Sequence, residues 1–141
     1  MIKTFRGKLL HGVSNMHTIR LSTNDGMTGY RIKKFQLLPQ NLNNTFDSTV
    51  ALWINEPDTI SDNVDFDNQQ MLGAGVMYES GNLGEEHIIV FDNVVINQDI
   101  YITHHQQAGS DWINYYLELE QIKLDLNEAT VATLKDMRGR E

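Results

Sequence analysis

No cysteine occurs in the 141-residue chain, so disulfides and thiolate metal sites are excluded. This suits assembly in a reducing cytosol. There are only two prolines, Pro39 and Pro57. Both are expected between strands, where a missing N–H does least harm. No apolar run approaches the ~20 residues that a membrane helix needs. The N-terminal Met1-Ile2-Lys3-Thr4-Phe5-Arg6-Gly7-Lys8 carries charge throughout and lacks the apolar centre of a signal peptide. The expectation is a soluble protein with no membrane partner and no classical export signal. No internal repeat, low-complexity tract or Pro/Ser linker divides the sequence. Its length suits one domain, residues 1–141, with a core that needs no staples.

Lys and Arg are also missing, across the whole of residues 41–122, where fourteen Asp and Glu stand alone. The opposite holds in residues 1–40, where seven Lys and Arg face Asp25 only. The net charge of −8 argues against a nucleic-acid partner. Two readings of the segregation remain open. Basic and acidic strands can pair within one sheet, or a charged face can dock on a partner.

What is abundant is strand signal. Ile2 to Leu10, Thr18 to Ser22, Thr49 to Asn55 and Asp99 to His105 alternate wholly or in part. Tyr30 to Lys33 alternates in one phase and Phe35 to Leu37 in the other, which predicts a bulge near Lys33-Lys34. Ile113 to Leu124 begins with Tyr115, Leu117 and Leu119 inward, then shifts to Ile122 and Leu124, and a second bulge is expected there. Gly73 and Gly75 interrupt Gln70 to Glu79, which reads as a bent strand or an edge. His87 to Phe91 is a continuous apolar run, as in a strand covered on both sides. Turns are expected at Thr23-Asn24-Asp25-Gly26, Gln40 to Asn44, Asn55 to Asp67, Ser80 to Gly84 and Ala108 to Asp111.

One short helix is predicted near the C-terminus. Asp125-Leu126-Asn127-Glu128 fits a capping box, with Asn127 as the alternative cap. Val131 and Leu134 would form its apolar face, and Gly139 its stop, with Lys135 and Arg138 suited to its last turn. Seven or eight short strands without crossover helices define an all-β class. The expected architecture is a β-sandwich or jelly-roll-like domain closed by that helix.

No residue set reads as an active site or a cofactor site. His104 and His105 are adjacent, and neighbours on a strand point to opposite faces, so both cannot hold one ion. His11, His17 and His87 lack ligand spacing. Asp58, Asp62, Asp65 and Asp67 are hard oxygen donors in one loop, but the Gly and late Glu of a calcium loop are missing. A solvated acidic loop is expected, and a metal is not. Glu85-Glu86 and Glu118/Glu120 are paired carboxylates in a chain where carboxylates are numerous, and Glu118 and Glu120 are expected to share the solvent face of one strand. Trp53, Tyr101, Trp112, Tyr115 and Tyr116 would suit either a core or a sugar-stacking platform. Ala108-Gly109-Ser110-Asp111 lacks the nucleophile-elbow pattern, and Gly73-Ala74-Gly75 lacks the Lys-Ser/Thr of a phosphate loop.

Three segments carry a family resemblance. They are Gly7-Lys8-Leu9-Leu10 with Ile19 to Ile32; Phe91-Asp92-Asn93 with Asn97 to Thr103; and Asn114 to Leu124 with Ala129 to Asp136. Together they resemble small virion proteins of marine tailed bacteriophages, over most of the chain except its acidic middle. The resemblance implies a capsid decoration, or cement, protein. Such a protein sits on the outer surface of the shell, binds the major capsid protein and stabilises the particle. It favours a homo-oligomer, a trimer first, with multivalent contacts. It carries no catalytic motif, so no enzyme is expected. Under it, Lys3, Arg6, Lys8, Arg31, Lys33 and Lys34 are the expected capsid-docking residues. A tail, neck or fibre component and a carbohydrate-binding module are the alternatives.

Overall fold

The computed structural model describes residues 1–40, 47–80, 83–106 and 112–139. Among these, eight strands form two antiparallel sheets. The smaller sheet has the order β1 (Ile2–Leu9), β8 (Ile113–Lys123), β3 (Thr28–Pro39). The larger has the order β2 (His17–Ile19), β7 (Ile100–Gln106), β4 (Asp47–Trp53), β5 (Met71–Ser80), β6 (Leu83–Val90). Helix α1 (Leu126–Gly139) follows. The fold is an all-β sandwich.

Alternation creates the core. Tyr115, Leu117 and Leu119 of the central strand β8 point inward beside Leu37, Phe35 and Ile32 of β3. They meet Val50, Leu52, Ile100 and Ile102 of the larger sheet in one cluster. Gly75 lets the layers close, because a Cβ there would stand 2.8 Å from Leu37 Cδ1. A buried polar pin also crosses the layers. His104 on β7 places Nδ1 3.2 Å from the Leu9 carbonyl and Nε2 2.9 Å from Ser48 Oγ. A carbonyl can only accept, so Nδ1 carries the proton and Nε2 accepts from the Ser48 hydroxyl.

The bulge expected near Lys33-Lys34 is present. Ile32 pairs with Leu119 and Lys34 with Glu118, leaving Lys33 as the extra residue. It rephases β3, so that Ile32 and Phe35 both reach the core. Gly26 takes the left-handed conformation at φ 68°, as the Asn-Asp-Gly turn requires. Asp25 Oδ1 accepts from the Met27 N–H at 2.9 Å and closes that turn. Asp125 is the helix cap: its Oδ1 accepts from the Glu128 N–H at 2.7 Å, and the Glu128 carboxylate returns to the Asp125 N–H. Asn127 has no such role.

Several expectations are corrected. The second bulge is not on β8, whose pairing with β3 runs without a shift from Leu119 to Lys123. Gln121 simply occupies the next inward position, Ile122 faces the other way, and Leu124 lies past the strand, over Gly29. β6 is not covered on both sides: it is an edge, and Ile89 is 53% exposed. β5 is internal, with an irregular register around Leu72. Pro39 ends β3 rather than lying between strands, which an edge strand tolerates. On α1, Val131 and Leu134 are about half exposed, whereas Ala129 and Ala132 are buried. The helix docks through these small residues and through Asn97. The Asn97 Nδ2 donates to the Gly26 carbonyl, the Ala129 carbonyl and Thr133 Oγ1. The turns expected at 41–44 and 108–111, the residues between β5 and β6, and the Lys135 and Arg138 side chains lie outside the described residues.

Candidate functional site

The two outer faces of the sandwich differ. That of the larger sheet is covered in part by the chain itself, over β4, β7 and the start of β5, while His87 and Ile89 of β6 stay exposed. Residues 55–70 fold back across it, with Val64 packed on Ala51, Met71 and Ala74. Trp53, on this face, donates from Nε1 to Thr103 Oγ1 at 2.7 Å. Phe66 meets Phe91 edge-to-face at 5.0 Å. The acidic segment is thus anchored by apolar side chains. Asp58, Asp62, Asp65 and Asp67 remain exposed. Asp65 Oδ1 accepts from the Asp67 N–H and closes a local turn. No group of three or more His, Asp or Glu converges to hold a metal among the described residues.

The outer face of the smaller sheet is open. Strand registers set its side chains in rungs. Arg6, Tyr116 and Gln36 form one rung, and Lys8, Asn114 and Leu38 the next. These six floor an open groove of about 710 Å³, with Glu86 from β6 at its rim. Lys8 Nζ stands 4.6 Å from the centre of the Trp112 ring, a cation–π contact at the groove's end. Leu38, at 61% exposure, is the most accessible apolar group of the floor.

Further along the same face, Thr4, Glu118 and Lys34 share a rung, as do Ile2, Glu120 and Arg31. The bulged Lys33 reaches Glu120 at 3.0 Å. That hydrogen bond, then the Lys33 charge, hold the Glu120 carboxyl below its usual range despite some desolvation. Partial burial, then the hydrogen bond to Glu118 and its charge, push the Tyr116 phenol up. The acidic central strand therefore faces basic residues of β3 at this end. At the groove end, the β1 cations stand beside Asn114 and Tyr116 instead.

The six predicted docking residues divide accordingly. Arg6, Lys8, Arg31, Lys33 and Lys34 share the open face. Lys3 has the phase of Phe5 and Leu9, so it belongs to the opposite face, and its Nζ lies 5.8 Å from the Tyr30 ring centre. The pairing of basic and acidic strands within one sheet is seen at the Lys33/Glu120 end, and the cations at the groove end have no acidic rung partner on β8.

The five aromatics do not form one platform. Tyr115 is buried, with its hydroxyl 3.1 Å from His17 Nδ1, and burial pushes its phenol pKa up. Trp53 and Tyr101 are cross-strand neighbours on the covered face. Tyr116 lines the groove and Tyr115 touches its wall, while Trp112 stands at its end against Lys8. The histidines are dispersed as well. His104 points into the core, while His105 packs edge-to-face on His11 at 5.1 Å, and His87 stacks on Tyr78. Glu85 has no described side chain, and Ser110 lies outside the described residues.

Sequence reasoning missed the groove itself. Arg6 and Lys8 were visible as alternating cations, but their rung partners are set by pairings more than seventy residues apart in the chain. The arrangement offers two cations, amides, a phenol ring and an exposed Leu on a rigid floor. That chemistry is complementary to an acidic, partly apolar surface, apart from Glu86 at the rim. The fold and site define a β-sandwich whose smaller sheet, among the described residues, has a charged and solvent-exposed outer face. No family model matches the chain, and no curated protein matches it in sequence.

Proposed function

We propose that the protein is a virion structural protein, a decoration protein that docks on the outer surface of a tailed-phage capsid through the open face of its smaller sheet. The observation that supports the docking reading is the placement of Arg6, Lys8, Arg31, Lys33 and Lys34 on one outer sheet face, that of the smaller sheet, where Arg6, Lys8 and Lys34 are exposed. The resemblance to marine phage virion proteins supports the capsid as partner. At the ionic strength of seawater, exposed charges are screened within a few ångströms. Tyr116 and Leu38 then contribute affinity through apolar burial, while Arg6 and Lys8 orient the contact. Trimeric association raises avidity on a shell that repeats the same acidic patch.

Quantitative mass spectrometry of purified virions tests this. A copy number comparable to that of the major capsid protein is expected. A handful of copies per particle moves the assignment to the neck, tail or fibres, and absence from the particle removes the virion reading. A second reading, carbohydrate binding, draws on the Tyr116, Gln36 and Asn114 lining of the groove. Quenching or enhancement of Trp fluorescence across a panel of polysaccharides would favour it.

A further inference from the structure

The smaller sheet ends in β1, which pairs with β8 alone among the described residues. Its eight residues keep an unbroken register from Ile2 to Leu9. It has no proline and no acidic residue. Such a long, regular edge is a template for another strand. The ladder shows which backbone groups are open. The Met1 carbonyl accepts from the Gln121 N–H at 2.7 Å, which makes this a hydrogen-bonded pair. Antiparallel pairs alternate, so Lys3, Phe5, Gly7 and Leu9 also bond to β8. Ile2, Thr4, Arg6 and Lys8 then direct their N–H and C=O groups away from it, to the open edge.

These same even-numbered residues carry the outward side chains. Arg6 and Lys8 are two residues apart, and their side chains repeat along the strand at about 7 Å. An added antiparallel strand places its own outward side chains directly opposite them at the same repeat. Carboxylates at alternate positions of that strand would meet Arg6 and Lys8 as cross-strand pairs. The alternate, apolar positions of that strand point to the opposite face of the sheet, on the side of Lys3, Phe5 and Leu9. Lysine on an edge also discourages unwanted pairing. Here Lys8 lies over Trp112 and Lys3 over Tyr30, so each is held across its own sheet.

We infer that β1 is a β-augmentation site for an extended acidic segment of the partner, with Asp or Glu at alternate positions. This inference rests on the docking role proposed above and names the segment that the face takes.

The test uses the full-length protein and a synthetic ten-residue peptide alternating Glu and Val. Binding is followed by Trp fluorescence, and amide hydrogen exchange locates it. The expected result is saturable binding with new protection at the Thr4, Arg6 and Lys8 amides and little change at Phe5 and Gly7. Thr4→Pro removes one open-edge donor without touching the β8 ladder and should weaken binding. Arg6→Glu with Lys8→Glu should weaken it about tenfold or more. Oligoglutamate of equal charge should bind less well and leave the edge amides unprotected. Binding without edge protection, or equal binding of oligoglutamate, would overturn augmentation in favour of plain charge attraction. No binding of the alternating peptide would overturn it outright. Edge amides already protected in a self-associated protein would name a second copy as the occupant instead. Virion copy number is independent of all these outcomes. A capsid-level copy number with an inert β1 edge would remove this inference and leave the decoration role standing.

Discussion

The larger sheet buries much of its outer face beneath residues 55–70, leaving the β6 edge exposed, whereas no described segment packs on the groove floor of the smaller sheet. The difference follows from composition. The larger sheet presents Ala51, Met71, Ala74 and Trp53 outward, apolar groups that water does not solvate well. Residues 55–70 supply Val64 and Phe66 to cover this side of the molecule. The smaller sheet presents mainly polar groups outward, Arg6, Lys8, Lys34, Gln36 and Glu118, which water solvates readily, beside the exposed Ile2 and Leu38. One face is therefore part of the folding problem, and the other is the face proposed above for docking.

The largest expected effect breaks the core that both sheets share. Leu117 is fully buried at the centre of the smaller sheet. Leu117→Ala should cost about 3 kcal/mol, through lost burial and the cavity left behind, measured by chemical denaturation. The covered face comes next. Trp53→Ala should destabilise by about 2 kcal/mol, because Trp53 is only partly buried, and should make residues 55–70 cleave faster in limited proteolysis. An unchanged cleavage rate would show that the segment does not depend on Trp53 for its seat.

Asp99 is a smaller lever in the segment that leads into the larger sheet. Its Oδ1 accepts from the Leu21 N–H at 2.7 Å and the Ser22 N–H at 2.9 Å. Partial burial pushes its carboxyl pKa up, but these bonds and the Arg20 charge outweigh that and leave it lowered. The folded state thus holds fewer protons on Asp99 than the unfolded chain does. Its contribution is fully present above the ordinary Asp range and is lost as pH falls through the folded value. Asp99→Ala should cost about 1–2 kcal/mol at neutral pH, and the gap from the parent protein should shrink in acid. A gap that stays constant down to strongly acidic pH would contradict this role.

The open face should give the smallest stability effects. Arg6→Glu with Lys8→Glu, and Lys33→Gln alone, should leave the melting temperature nearly unchanged, since exposed ion pairs contribute little. The double variant should lose capsid binding, and Lys33→Gln should lose much less, because Lys33 is already engaged by Glu120. A large drop in melting temperature for the double variant would mean that this face, too, belongs to the folding problem.

Local signals were legible in the sequence, and long-range ones were not. The bulge at Lys33 was readable because apolar residues change phase between Ile32 and Phe35. The Asp25-Gly26 turn and the Asp125/Glu128 cap were readable because their hydrogen bonds join residues at most three apart. The phase change in β8 misled, because it marks the end of inward apolar positions rather than an inserted residue. The run from His87 to Phe91 suggested a strand covered twice. Hydrophobicity alone cannot separate a buried strand from an edge whose Ile88 and Val90 face the core while Ile89 does not. On α1, Val131 and Leu134 outweighed the alanines by size, yet the helix seats close to Asn97 and only small residues fit there. The open face itself was half legible. Its cations stood out, but which of them share a face with Glu118 and Glu120 is decided by strand pairing.

The central claim, that the open face of the smaller sheet is the docking surface, is tested most directly by amine labelling of the protein on the particle and free in solution. Lys8 and Lys34 should lose most of their reactivity on the particle, while Lys123, at the far end of β8, should keep it. Equal labelling of Lys8 and Lys34 in both states would contradict the claim.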